Sequence, residues 1–250
     1  RRGGGRVTLN SKNIEHFGAS LAALDGEVNW DLVATVYCDG EAEGFFDEER
    51  RGAVLDAGLK LASDLGEELE PGGRSLYLGA AVAELAPMLF ESIVLGRRVV
   101  WKALPSVEME ELTRALRAVS VEDRSPLPVP RTARWVGREL GRCDHVWMTS
   151  VLTDPDAFPA LHDALYRRQG TPEAVGGGHP KEERRRAREL VDEALIASGE
   201  GAVITTSEEE LPVWEAAAEE IGLTLEVAPA GRMSGVVGDI IRRGRLRRRS

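Results

Sequence analysis

Apolar residues along this chain recur in two rhythms that alternate. Val54, Leu55, Gly58, Leu59, Ala62 and Leu65 fall at helical spacing, which predicts an amphipathic helix over 47–69. Asp47, Glu48 and Glu49 suit its first turn, where the helix dipole favours negative charge. Pro71, Gly72 and Gly73 then make a turn. Residues 75–78 are a short apolar run and predict a strand. A helical pattern follows over 82–95, and Pro87 within it predicts a late start or a bend. Gly96 stops it. Residues 98–104 predict a second strand, and Ser106 caps a helix over 107–119.

The rhythm breaks where Pro126, Pro128 and Pro130 fall close together, so 121–131 predicts a loop or an edge segment. A short helix over 132–140, a buried strand over 144–151 and a helix over 155–168 follow. Residues 170–180 read as a glycine-rich, mobile loop. Beyond it come a long helix (181–198), a strand (202–206), a helix (208–221) and two strands (223–228 and 233–241). Only 229–232 separate the last two strands. So short a link fits an antiparallel hairpin, since a parallel crossover needs about a dozen residues. Before residue 47 the pattern is weaker. A short helix over 10–24 and a strand or buried segment over 32–38 predict an N-terminal arm.

These alternations predict an α/β fold: an open, mostly parallel seven-stranded sheet with helices on both faces and a C-terminal antiparallel hairpin. The expected divisions are an arm (1–46), an α/β domain (47–241) and a basic tail (242–250).

Composition narrows the class. The 250 residues are 42% hydrophobic and 30% charged, with a net charge of −10, a soluble globular profile. No apolar run approaches the roughly 18 residues of a membrane span. The opening residues show no signal-peptide pattern, and a cytoplasmic location is expected. The first residue is Arg1 rather than methionine, which predicts a start upstream. Cys38 and Cys143 are too few for a disulfide framework. His16, His145, His162 and His179 are scattered, so no metal site is expected. Trp30, Trp101, Trp135, Trp147 and Trp214 are spread out and read as core or interface anchors rather than a base-stacking platform. Six arginines crowd the last nine residues. A basic tail of this kind suits an acidic partner or nucleic acid, although the acidic body opposes the latter.

The most informative stretch is 74–85, R-S-L-Y-L-G-A-A-V-A-E-L. A strand runs into Gly79, small residues follow, and a helix begins. That is the opening of a nucleotide-binding α/β unit, whose turn amides and helix N-terminus can hold a ligand. A G-x-G-x-G turn would carry further glycines where this chain has Ala81 and Ala83. The triple glycine at Gly176, Gly177 and Gly178 lacks the Gly-Lys-Ser/Thr ending of a phosphate loop.

With its terminal hairpin, the order of elements over 47–241 resembles the class I S-adenosylmethionine-dependent methyltransferases. The resemblance implies that Gly79, Ala80, Ala81 and Glu84 surround the methionine part of that cofactor. It implies an acidic ribose-binding residue at the end of the second strand, where this chain offers Lys102 and Ala103. It places polar residues near the transferred methyl group, here Thr149, Ser150 and Asp154. The lost ribose carboxylate removes a charge-assisted hydrogen bond of about 1.5–3 kcal/mol.

Two functions from different classes follow. One is a methyltransferase acting on an unidentified small-molecule or protein acceptor. The other is a catalytically silent protein of the same fold that works as a homodimer or a structural partner. A third reading, nucleic-acid binding through the arginines of 242–249, lacks the aromatic interleaving such surfaces carry.

Overall fold

The computed structural model describes residues 10–38, 42–123, 127–132, 141–172, 174–236 and 238–249. The protein is α/β, with an open, mostly parallel sheet that turns antiparallel at its C-terminal strands. It falls into two compact units, Arg1–Thr132 with Ser234–Val237 and Ala133–Met233 with Gly238–Ser250.

In the first unit, α1 (Ser11–Glu27) starts where Asn10 accepts the Lys12 N–H at 3.0 Å. A second helix, α2 (Trp30–Ala34), takes up the start of the strand or buried segment expected over 32–38, where Val33 and Ala34 are buried. Asn29 accepts the Leu32 N–H at 3.1 Å and closes a helical turn. Trp30 and Val33 then bury one face at helical spacing, which outweighs the strand propensity of this short β-branched run. Helix α3 (Glu48–Glu68) begins as expected, with Asp47 accepting the Arg50 N–H at 2.8 Å. Gly58 lets α3 approach the chain beyond it; a Cβ there would lie 2.9 Å from that of Ala86.

Strand β1 (Arg74–Leu78) pairs in parallel with β2 (Arg98–Ala103), and β2 with the two-residue β3 (Arg131–Thr132). The helix expected over 82–95 is broken into a 3-10 turn (Val82–Glu84), α4 (Leu85–Leu89) and a π turn (Phe90–Val94). Pro87 therefore sits in the first turn of α4, where a missing N–H leaves no hydrogen bond unmade. Helix α5 (Val107–Asp123) is capped by Ser106, whose hydroxyl accepts the Met109 N–H at 3.1 Å. Under the start of β1 lies a buried ion pair. Arg97 Nε donates to Glu91 Oε2 at 3.0 Å and to Ser75 Oγ at 2.9 Å, and Tyr77 donates to Glu91 Oε1 at 2.6 Å.

In the second unit, β4 (His145–Met148) pairs in parallel with β5 (Val203–Ser207). Helices α6 (Pro159–Leu165), α7 (Pro180–Ser198) and α8 (Leu211–Glu220) accompany them. Asp154 and Pro155 do not open the helix expected at 155. Asp154 accepts the N–H groups of Asp156 and Ala157 at 3.0 and 2.7 Å, closing a turn ahead of Pro159. The glycine-rich loop is tied down rather than loose. Asp163 accepts from Val175 and Gly176 at 2.9 and 3.0 Å, and Glu183 accepts from His179 at 3.2 Å.

The C-terminal end differs most from expectation. After β6 (Leu223–Val227), the short β7 (Arg232–Met233) forms a hairpin with β8 (Ile240–Arg248). Strand β8 lies between β5 and β6 and is antiparallel to both. The antiparallel ending stands, but the last strand is not 233–241, and Arg242, Arg243, Arg245, Arg247 and Arg248, expected in a basic tail, lie in β8. The helix expected over 132–140, with Trp135, lies beyond Thr132 outside the described residues.

Candidate functional site

Gly79 ends β1 with φ +66°, a left-handed conformation that glycine adopts without steric cost. Its N–H donates to the carbonyl of Lys102 at 2.8 Å, carrying the ladder one residue past Leu78. Ala80 is buried, and its carbonyl accepts the Trp101 indole N–H at 3.0 Å. Ala81 is extended, with φ −130° and ψ −158°. Alanine is therefore unstrained where the glycine-rich pattern carries a second glycine. Ala83 lies in the 3-10 turn.

The amides of this turn point at the protein's own carboxylates. Ala81 N–H donates to Glu84 Oε2 at 2.9 Å, so Glu84 caps the turn it belongs to. Val82 N–H donates to Glu108 Oε1 at 3.0 Å. Glu108 stands in the first turn of α5, and the same oxygen accepts the Tyr37 hydroxyl at 2.9 Å. Both bonds converge on Oε1, while Oε2 takes no hydrogen bond among the described residues. Burial pushes the Glu108 carboxyl up to about 7, with nearby Glu84 adding to the rise against the two hydrogen bonds.

Tyr37 is fixed by an aromatic cluster. Its ring stacks parallel to Phe45 at 6.3 Å and meets Phe46 edge-on at 5.7 Å, and Arg50 lies 4.1 Å over Phe45. Asn29 N–H donates to Glu111 Oε1 at 2.7 Å, a second tie from the N-terminal segment to α5. Lys102 and Ala103 end β2 opposite Arg131 and Thr132 of β3.

Thr149, Ser150 and Asp154 belong to the second unit. Thr149 Oγ1 accepts the Trp147 indole N–H at 3.1 Å. Ser150 is left-handed, with φ +57°, and its hydroxyl donates to Asp239 Oδ2. Asp154 is taken up by its own turn, and burial raises its carboxyl above the usual range against the Ala157 amide. Beside them Glu210 is fully buried, accepting Leu152 N–H at 2.6 Å and the Thr206 hydroxyl at 2.9 Å; burial pushes its carboxyl up to about 7.

Of the residues at this turn, sequence reasoning named Gly79 and Glu84 and did not name Glu108 or Tyr37. Glu108 reads as an ordinary first-turn acid, and Tyr37 lay in a segment with no clear pattern. The arginines of β8 are engaged within their own unit: Arg242 with Glu208 at 3.1 Å, Arg247 with Glu226 at 3.2 Å and Arg248 with Glu200 at 3.1 Å. No helix among the described residues is long and apolar enough to cross a membrane.

Compared with known proteins, the sequence matches no family model and no curated protein. Solved structures with a similar arrangement include two that are named as methyltransferases and one that is in complex with AdoMet. A methyltransferase from Pyrococcus furiosus is 13% identical, covers 75% of this chain and 82% of its own, and gives a TM-score of 0.45. A precorrin-6y C5,15-methyltransferase from Geobacter metallireducens is 12% identical over 80% and 88%, with a TM-score of 0.41. TYW2 from M. jannaschii, solved in complex with AdoMet, is 10% identical over 77% and 76%, with a TM-score of 0.45.

Proposed function

We propose that this chain is a methyltransferase-like protein that binds S-adenosylmethionine at the turn following β1 and serves an unidentified acceptor. The observation that carries this reading is the seating of β8, antiparallel to both of its neighbours, at the end of an otherwise parallel series. That is the terminal feature on which the resemblance rests. The turn at Gly79 is the second support, since this glycine is left-handed and exposed at the end of β1.

The donor set fits part of the cofactor. Carboxylates at Glu84 and Glu108 suit its ammonium group or its ribose hydroxyls. The cofactor's own carboxylate has no match at Ala81 or Val82, whose amides are engaged. Gly79, Ala80, Ala81 and Glu84 would line the ligand, with Lys102 and Ala103 at the adjoining strand end. When bound, S-adenosylmethionine supplies an activated methyl group, and the protein's share is positioning. Two reduced cysteines accord with a cytoplasmic protein.

The engaged amides favour a second reading, a catalytically silent protein of this fold that acts by association with itself or a partner. Calorimetric titration with S-adenosylmethionine and S-adenosylhomocysteine separates the two. Micromolar binding that weakens on Gly79→Val supports a working cofactor site. No response at millimolar ligand, with a stable oligomer in solution, supports the silent protein.

A further inference from the structure

Ser150, just past the end of β4, has φ +57°, a left-handed conformation that strains any residue with a Cβ. Such strain persists only where surrounding contacts impose it. Two carboxyl groups of the second unit do so. Asp239, ahead of β8, accepts the Ser150 hydroxyl. Glu210, the N-cap residue of α8, accepts the Leu152 N–H at 2.6 Å and the Thr206 hydroxyl at 2.9 Å. Glu210 therefore ties the segment after β4 to the end of β5, and it does so at 1% exposure. Both of these partners are uncharged. The charged and titratable groups of the segments it joins are engaged elsewhere or face solvent. Glu208 pairs with Arg242 at 3.1 Å, and Asp154 is taken by its own turn. His145 bonds Thr205 at 3.0 Å, and His162 Nδ1 meets the Thr153 carbonyl at 2.9 Å. Tyr166 faces Asp239 and Glu209, while Asp156, Glu209 and Glu215 are exposed. A carboxyl buried among uncharged partners resists ionisation. Burial pushes Glu210 up to about 7, against the bonds from Leu152 and Thr206. The first unit repeats the arrangement, with Glu108 in the first turn of the helix after β2 accepting the Val82 amide of the turn after β1.

We propose that Glu210 is a proton-controlled latch on the segment after β4, closed while its carboxyl is neutral and released once it ionises. The segment it holds carries Thr149, Ser150 and Asp154, so the latch sets when those residues can rearrange. This device goes beyond the cofactor reading and operates with or without it. The closed form binds the proton more tightly than the open form, whose carboxyl lies in the ordinary glutamate range near 4.5. Opening is therefore rarest below that range, grows as pH rises through it, and levels off once pH passes about 7.

The test is hydrogen exchange of the full chain, read at the Leu152 amide by NMR across mildly acidic to mildly basic pH and corrected for the intrinsic pH dependence of exchange. In the parent, protection of Leu152 should fall by roughly a hundredfold over that range and then level off, while Val191 in α7 and Ile204 in β5 keep theirs. In Glu210→Gln, which cannot ionise, protection of Leu152 should stay flat. Should Glu210→Gln fail to fold, Thr206→Val removes a donor to the carboxylate and should move the levelling-off to higher pH. Protection of Leu152 that does not change with pH in the parent overturns the proposal. So does a fall shared equally by Val191 and Ile204, which would be global unfolding rather than a local release. A fall that persists in Glu210→Gln, or one unmoved by Thr206→Val, assigns the titration to another group and overturns it as well.

Discussion

The Tyr37 hydroxyl donates a 2.9 Å hydrogen bond to Glu108 Oε1 across 71 positions of sequence. The bond joins the segment after α2 to the first turn of α5, and the same oxygen receives the amide of Val82. One carboxylate thus couples the N-terminal segment to the turn that ends β1. Tyr37, which lies within the arm expected over 1–46, thus reaches the candidate site.

Glu108 makes stability depend on pH in a defined direction. Its carboxyl rises from 4.5 to about 7 on folding, chiefly through burial. The folded form then holds its proton more tightly than the unfolded chain. The contribution is fully present below the ordinary glutamate range and is lost as pH rises through about 7. The shift corresponds to roughly 3 kcal/mol. Glu108→Gln mimics the protonated form, and its amide oxygen in the place of Oε1 can accept from both Val82 and Tyr37. The variant should gain about 1–3 kcal/mol over the parent above about pH 8 and match it near pH 5. Urea unfolding at the two pH values checks this. The neighbouring Glu84 stays in place in both proteins, as do Glu111 and Arg114 on α5, so the difference isolates Glu108.

At Gly79 and Ala81 the backbone argues opposite outcomes for opposite substitutions. Gly79 has φ +66°, so Gly79→Ala should cost about 1–2 kcal/mol in thermal or urea unfolding. Ala81 is extended and its amide is engaged by Glu84. Ala81→Gly, which restores the glycine-rich pattern, should therefore lose about 0.5–1 kcal/mol through greater freedom of the unfolded chain. It should also leave cofactor affinity unchanged. A marked gain in affinity would show that the alanine methyl, and not the capped amides, sets the limit.

Much of this molecule was legible wherever local chemistry and tertiary packing agree. Ser106 caps the helix it was expected to cap, Asp47 stands as the cap of the helix whose first turn it was expected to join, and Pro87 breaks its helix as its missing N–H requires. Gly79 was found because only a strand-to-helix turn explains it. Legibility failed where distant partners decide. The run at 32–38 is β-branched, yet the Asn29 cap and the burial of Trp30 and Val33 make a helix of its start. Glu108 carries no mark of its reach to Val82 and Tyr37. The arginines of β8 hide a strand pattern in which Ile241 and Leu246 are buried and Gly244 is covered by Leu225. Their charge is met by glutamates from neighbouring elements that no local window contains.

Glu91 and Arg97 are almost wholly shielded from water, and Arg97 also donates to the carbonyls of Glu70 and Gly72 at 2.7 Å. Removing one charge from such a pair strands the other. Glu91→Gln should lower stability by about 3–5 kcal/mol in urea unfolding. Glu91→Gln combined with Arg97→Met should recover part of that loss, because the unpaired cation is gone as well. A single-variant loss below about 1 kcal/mol would mean that water reaches Arg97.

The arginine-rich end gives the sharpest contrast between a tail and a strand. A tail can be removed without consequence, whereas β8 carries the ladders to both β5 and β6. Truncation after Ile241 deletes Leu246, which is fully buried, and leaves the facing edges of β5 and β6 unpaired. Exposed edges of that kind promote aggregation. The truncated chain should be insoluble or lack cooperative unfolding by circular dichroism. Arg247→Gln removes a surface pair with Glu226, so it should fold normally and shift stability by no more than about 0.5–1 kcal/mol. A truncated chain that unfolds cooperatively at the parent's midpoint would show that β8 contributes nothing to the fold. Only then would the arginines be open to a role as a nucleic-acid-binding tail, visible as a steep loss of DNA or RNA affinity with salt.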